Sequence, residues 1–191
     1  MVKRQLTFIA SVIIFIVLIA QVQAATKALP YNYRFLDGHI HAGGHPLDPA
    51  KAFGNSDREV LAILVYLKSQ GVLTVIDLEN TAWIQARYQR LLDQAGLTRL
   101  HIPLSSDKVP NREEWVKIKL ALKKPVYLHC AWGADRTGAV LARYLVEVKG
   151  YLPDQAYQMV ITGGAWAGSL GGFKKIRANE KLKRFIYQEV E

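Results

Sequence analysis

Cysteine is nearly absent from this chain: Cys130 stands alone among 191 residues. An internal disulfide framework is therefore excluded, and an oxidised Cys130 would find no internal partner. Linkers, internal repeats and low-complexity tracts are missing as well, so nothing divides the chain into parts. Acidic residues are scarce relative to basic ones, 16 Asp and Glu against 25 Lys and Arg, for a formal charge of +9.

Charge is also nearly missing from the amino terminus. Lys3 and Arg4 precede an apolar run from Leu6 to Ala20, and Gln21-Val22-Gln23-Ala24 offers small residues for a cut after Ala24. Residues 1–24 read as a secretory signal peptide. An uncleaved membrane anchor is the alternative, although the apolar run is short of the roughly 20 residues of a full span. The mature chain, 25–191, suits one compact domain that is periplasmic or secreted and acts as a monomer. Without Lys3 and Arg4 the formal charge falls from +9 to +7. An exported protein seldom meets nucleic acid, so none is expected as a partner; a phosphate-directed protein gains from the same positive field. Lys174, Lys175, Arg177, Lys181, Lys183 and Arg184 read first as a solvated face and second as a peripheral contact with anionic membrane or polysaccharide.

The most informative stretch is His129-Cys130-Ala131-Trp132-Gly133-Ala134-Asp135-Arg136-Thr137-Gly138. Pro125 to His129 reads as a short buried strand, and Thr137 to Val148 carries apolar residues at helical spacing before Gly150. The ten residues are then a strand-loop-helix turn, whose backbone N–H groups converge on one point and form a nest for a tetrahedral anion. Gly133 and Gly138 lack the Cβ atoms that would obstruct the curvature. The same field stabilises a thiolate at Cys130, the form that attacks. Arg136 can grip two phosphate oxygens as a fork, and Thr137 is placed for its hydroxyl to donate to the departing sulfur.

This His-Cys-x-x-Gly-x-x-Arg-Thr-Gly run resembles the signature loop of the cysteine-dependent protein tyrosine and dual-specificity phosphatases. In leader, order of elements and loop, the chain is similar to the small periplasmic bacterial tyrosine phosphatases. The resemblance implies an α/β fold with the signature loop between a central strand and a helix, and a phosphomonoester hydrolase that acts on phosphotyrosine, with phosphoserine and phosphothreonine also open, and needs no cofactor. Cys130 is then the nucleophile, Arg136 and the backbone of Ala131, Trp132, Gly133, Ala134 and Asp135 the phosphate cradle, and His129 and Thr137 supports. Asp107, in His101-Ile102-Pro103-Leu104-Ser105-Ser106-Asp107-Lys108-Val109-Pro110, matches the general acid on its movable loop. Asp135 is a rival by proximity; Glu113 and Glu114 read as helix N-terminal charges. Relatives carry an aromatic-Arg-Ser-x-x-Pro segment that stands here as His41-Ala42-Gly43-Gly44-His45-Pro46, without the arginine.

Rival functions are a lipid or inositol phosphate phosphatase, a phosphate-binding pseudophosphatase and a sulfur-transfer protein. The first tends to bring lysines into the loop, and none is here; the intact Cys130, Arg136 and Asp107, and the Arg-Thr-Gly ending, speak against the others. His39, His41 and His45 invite a metal reading, since His-x-His can set two imidazoles on one strand face, but the further ligands of a binuclear hydrolase are missing and no metal is assigned. Trp132 is read either as a wall of the substrate cleft or as packed on a neighbouring helix. The glycine pair of Thr162-Gly163-Gly164-Ala165-Trp166 either borders the same cleft or is a plain loop.

Along the rest of the chain, capping boxes at Ser56–Glu59 and Asn111–Glu114 open helices to about Gln70 and Lys123. Strands are expected at 72–78, 98–102 and 125–129, and further helices at 81–95, 138–149, 154–162 and 178–190. Strands alternating with helices predict a mainly parallel sheet covered on both faces, with the site at the carboxyl end of a central strand.

Overall fold

The computed structural model describes residues 29–105, 108–161 and 176–187; the leader, Asp107, the glycine pair at 163–164, and Lys174 and Lys175 lie outside the described residues. Five short strands form one sheet: β1 (Arg34–Leu36), β2 (Ile40–Gly43), β3 (Thr74–Asp77), β4 (Thr98–His101) and β5 (Val126–His129). Their spatial order is β1-β2-β5-β3-β4, with β1 antiparallel to β2 and every other pair parallel. The expected α/β class and mainly parallel sheet are observed, and β5 is its central strand.

Period-two alternation sorts the side chains of the inner strands onto two faces. Val126, Leu128, Ile76, Leu78, Ile40 and Ala42 face one core, which is closed by α3 (Arg112–Ala121), α4 (Asp135–Lys149), α5 (Pro153–Ile161) and α6 (Ile176–Tyr187). Val75 and Tyr127 face the other, under α1 (Asp57–Ser69) and α2 (Gln85–Ala95). Both capping boxes form as read: Ser56 with Glu59 at α1, and Asn111 with Glu114 at α3.

The structure corrects the sequence reading in three places. Residues 29–55, which were assigned no element, supply β1, β2 and a 3-10 turn at Pro49–Lys51. At three and four residues, with Arg34, His41 and Gly43 among them, these strands are too short and too polar for the apolar run that announces a strand; pairing of β2 with β5, from Ile40↔Val126 to Gly43↔His129, makes up for it. The 81–95 helix opens with a 3-10 turn, Ala82–Ile84, before α2. Finally, α4 begins at Asp135 rather than 138, because the Gly138 N–H closes the first turn on the Ala134 carbonyl at 2.6 Å. That shift brings Arg136 and Thr137 into the first helical turn.

The end of β2 and the loop after β5 meet backbone to backbone. His45 N–H donates to the Ala131 carbonyl at 2.8 Å, and Asn32 Nδ2 donates to the Gly133 carbonyl at 3.2 Å. Gly133 has φ +64, and a Cβ there would lie 2.1 to 2.5 Å from backbone atoms of Gly43 and Gly44. Conformation and space thus both require glycine. Gly38, at φ +73, has open space around it. Gly38→Ala should cost about 1–3 kcal/mol of backbone strain. Gly133→Ala should cost clearly more and abolish activity. Thermal unfolding of the two variants checks this: equal losses would mean that the approach to Gly43–Gly44 is loose.

Candidate active site

The strand-loop-helix reading of residues 129–138 holds. Cys130 follows β5 directly, 3% exposed, at the carboxyl edge of the sheet. Ala134 precedes α4 without any side-chain cap, so the first N–H groups of a 15-residue helix face the hollow of the loop. An anion seated there meets the positive end of that helix and lies next to the sulfur.

Arg136 is 8% exposed, and its guanidinium is held on three sides. Nη1 donates to the carbonyls of Leu78, at 2.9 Å, and Leu104, at 2.5 Å; Nη2 meets Glu79 Oε2 at 2.9 Å. Burial alone would lower its pKa, but Cys130 and Glu79 outweigh that and hold it above the ordinary value, so the charge is permanent. Glu79 is steadied in turn, its Oε1 accepting from the backbone N–H and, at 2.6 Å, the hydroxyl of Thr81. Leu104 lies three residues beyond β4, so the arginine ties the exit of that strand to the cradle.

Beneath the loop lies a sealed polar cluster. His129 sits in register between Gly43 of β2 and Asp77 of β3. Its Nε2 pairs with Tyr88 Oη at 3.0 Å, while its Nδ1 faces the Cys130 carbonyl at 3.3 Å and Asp77 Oδ1 at 3.6 Å. Asp77 is bound by Arg99 at 2.5 Å and accepts from the Glu79 N–H at 2.8 Å. Burial pushes the Asp77 carboxyl up, and the surrounding His129, His45 and Arg99 bring it below its ordinary value. Burial holds His129 below its ordinary value despite Asp77, and His45 well below. The His45 ring meets that of His129 edge to face at 4.8 Å.

The other residues singled out in the sequence divide clearly. Thr137 is fully buried, and its hydroxyl makes no hydrogen bond among the described residues, to sulfur included. Trp132 packs edge to face on Tyr31 at 5.5 Å, on the segment before β1. Asp135 is the half-buried first residue of α4, beside Arg136. Glu114 closes the α3 capping box and Glu113 is exposed, as their helix N-terminal reading requires. The three histidines do not converge: His39 bonds the Asp37 and Leu122 carbonyls, His41 bonds Tyr33 Oη, and His45 joins His129 and Asp77. His45 Nδ1 accepts from the Leu47 N–H, so Nε2 carries the proton and offers a metal no lone pair. Glu79, Asp77, Arg99 and Tyr88 were not foreseen. Asp77 closes β3 and Glu79 lies two residues beyond it, at the carboxyl edge of a parallel sheet, a place that could have marked them.

Residues 55–150, 96 of 191, match the model of a family described as "Polymorphic toxin system, DSP-PTPase phosphatase". The chain belongs to the cysteine-based protein tyrosine and dual-specificity phosphatases. The match spans Asp77, Glu79 and the whole signature loop of this phosphatase. Its fold is similar to that of TpbA from P. aeruginosa, with 20% identity over 81% of this chain and 84% of that one and a TM-score of 0.57. Tk-PTP in the active form shares 18% identity, covering 82% and 97%, at TM-score 0.60. PTPMT1 shares 22% identity, covering 81% and 94%, at TM-score 0.54. A search of curated proteins finds no match.

Two predictions follow from this phosphatase site. Glu79→Gln keeps an acceptor beside Arg136 but removes the matching charge, and kcat/KM should fall about tenfold or more, a loss of at least about 1.4 kcal/mol of transition-state stabilisation. Unchanged kinetics would show Arg136 to be held by the two carbonyls alone. The second concerns stability. His45 and His129 bind protons near pH 6.5 in the unfolded chain but stay neutral in the fold, so the unfolded chain binds more protons below that pH. Stability should be level above about pH 7 and decline from pH 6.5 downward, by up to about 1.4 kcal/mol per pH unit for each histidine. The depressed carboxyl of Asp77 adds a loss only below about pH 4. Thermal unfolding between pH 7.5 and 4.5 reads the slope, which His45→Gln should reduce; an unaltered slope would mean that His45 charges freely inside the fold.

Proposed function

We propose that this phosphatase hydrolyses phosphomonoesters, phosphotyrosine foremost, through a cysteinyl-phosphate intermediate. The observation that carries the reading is the placing of Cys130 against the uncapped start of α4 with the permanently charged Arg136 beside it. In this reading Cys130 attacks phosphorus, the Arg136 fork and the N–H groups of residues 131–136 hold the equatorial oxygens, and the leaving oxygen takes a proton from Asp107. Asp107, now a carboxylate, then draws a proton from water as it attacks the thiophosphate, which returns the thiolate and releases phosphate.

For the substrate, a single basic side chain, Arg136, within residues 130–136 suits one phosphate better than several. A TpbA structure in complex with pTyr supports the aryl ester, and a PTPMT1 structure in complex with PI(5)P keeps the lipid alternative in the test. The reading includes export by residues 1–24.

The mature chain assayed on phosphotyrosine, phosphoserine and phosphothreonine peptides, phosphoinositides and thiosulfate tests this. Phosphotyrosine should turn over fastest, and Cys130→Ser should remove turnover while vanadate still binds. Turnover surviving in Cys130→Ser ends the covalent mechanism; binding without turnover in the wild type would make the domain a phosphate reader. Asp107→Asn should slow phosphotyrosine, whose phenol has a pKa of about 10, far more than activated aryl phosphates. An equal loss on both would move the acid to Asp135 or Glu114.

A further inference from the structure

Arg34 is the one arginine of the sheet whose charge no carboxylate answers among the described residues. It opens β1, and its register partner on β2 is Ala42, so both side chains lie on the face that also carries Leu128 and Cys130. Ala42 is small and leaves the guanidinium room. Only Nη1 is bonded, to the Asn32 carbonyl at 2.8 Å; Asn32 in turn reaches the Gly133 carbonyl of the signature loop. Nε and Nη2, the parallel pair with which arginine grips an anion, are shut off from solvent and have no hydrogen-bond partner among the described residues.

A buried fork without a partner is costly, and something has to offset it. The carboxylates nearby are spent: Asp77 on Arg99, Glu79 on Arg136, and Asp37 on Lys149 and Tyr144. The ionisable groups that Arg34 feels are Cys130 and Tyr127. Burial lifts the Tyr127 phenol well above its ordinary value, so it stays neutral. Burial also pulls Arg34 down to about 10, still charged at neutral pH, with Cys130 acting in the opposite sense. Among the described residues Cys130 is the one left to answer the charge, and substrate arriving from solvent does not reach the closed fork.

We infer that Arg34 is a positioning residue that holds Cys130 as the thiolate from beneath the signature loop, a second positive charge delivered by β1 where Arg136 supplies the first. The guanidinium comes from β1, whose Arg34 lies in register with Ala42 of the neighbouring strand. The other titratable groups that face the sulfur are Arg136 of α4 and Tyr127 of β5, with His129 next to it in the chain and Glu79 and Asp135 acting on Arg136. None of them answers the Arg34 fork. The inference rests on Cys130 being the nucleophile.

The test is the rate of Cys130 alkylation by iodoacetamide against pH, followed by intact mass, in the mature wild type, Arg34→Gln and Arg34→Lys, with the acid limb of kcat/KM measured alongside. In Arg34→Gln the pH of half-maximal reactivity should rise by about one unit, the effect of losing one nearby opposite charge. Arg34→Lys, which keeps the charge without the fork, should recover most of it, and the acid limb should move in parallel. A folded Arg34→Gln with an unmoved midpoint overturns the inference, as does a change confined to vanadate affinity or KM. Should Arg34→Gln fail to fold, Arg34→Lys against Arg34→Met decides on the same readout. A wild-type Cys130 that reacts only near pH 8.5, like an ordinary thiol, would instead sink the proposed function itself.

Discussion

Arg136 carries a full positive charge into a position that solvent barely reaches, and a charge so placed has to be matched on several sides at once. Its partners come from separate stretches of chain: Leu78 and Glu79 from the end of β3, Leu104 from the start of the loop toward Asp107, and Cys130 from the end of β5. Breaking such a pair by removing one member leaves an uncompensated buried charge, typically at about 3–5 kcal/mol. The segments are therefore held in one arrangement by a single side chain. The same side chain joins the stretches that follow β3 and β4 to the helix start.

Below this lies a layer that most cores would fill with hydrocarbon. His45, His129, Asp77, Arg99 and Tyr88 form it, and burial keeps both imidazoles neutral. Buried polar groups of this kind are tolerable only when bonded, and the bonds fix geometry as well as energy. His129 is fixed by Tyr88 on one ring nitrogen and turned toward Asp77 and the Cys130 carbonyl on the other, so the residue before the sulfur has little freedom. From the opposite side, the glycines of β2 let the loop's backbone press against the sheet edge, where Gly133 leaves no room for a Cβ. The sulfur is thus set by contacts made from below and from the side, not by the loop alone.

Much of this was legible in one dimension. The two capping boxes, the β-branched run of β3 and the strand before Cys130 are local patterns, and each formed near its expected bounds. Strands β1 and β2 were not legible, because at three and four residues, with Arg34, His41 and Gly43 among them, they carry no apolar run and become strand only through pairing, β1 with β2 and β2 with β5. Glu79 and Asp77 looked like ordinary polar residues after a strand. What makes them part of the site is the fold's bringing Arg136 and Arg99 to them, across 57 and 22 residues of chain.

The sequence by itself determined the chemistry on offer: a lone cysteine and an arginine six residues apart, with glycine between, at a turn from strand to helix. Short-range geometry is enough for that, since the nest, the helix start and the thiol lie within ten residues. Only the tertiary structure decided which charges keep that chemistry in place, because a buried ion finds its counter-ion by proximity in space and sequence order carries no record of it. Glu79 against Arg136, Arg99 against Asp77, and Arg34 lying over Ala42 with its fork unanswered are all of that kind.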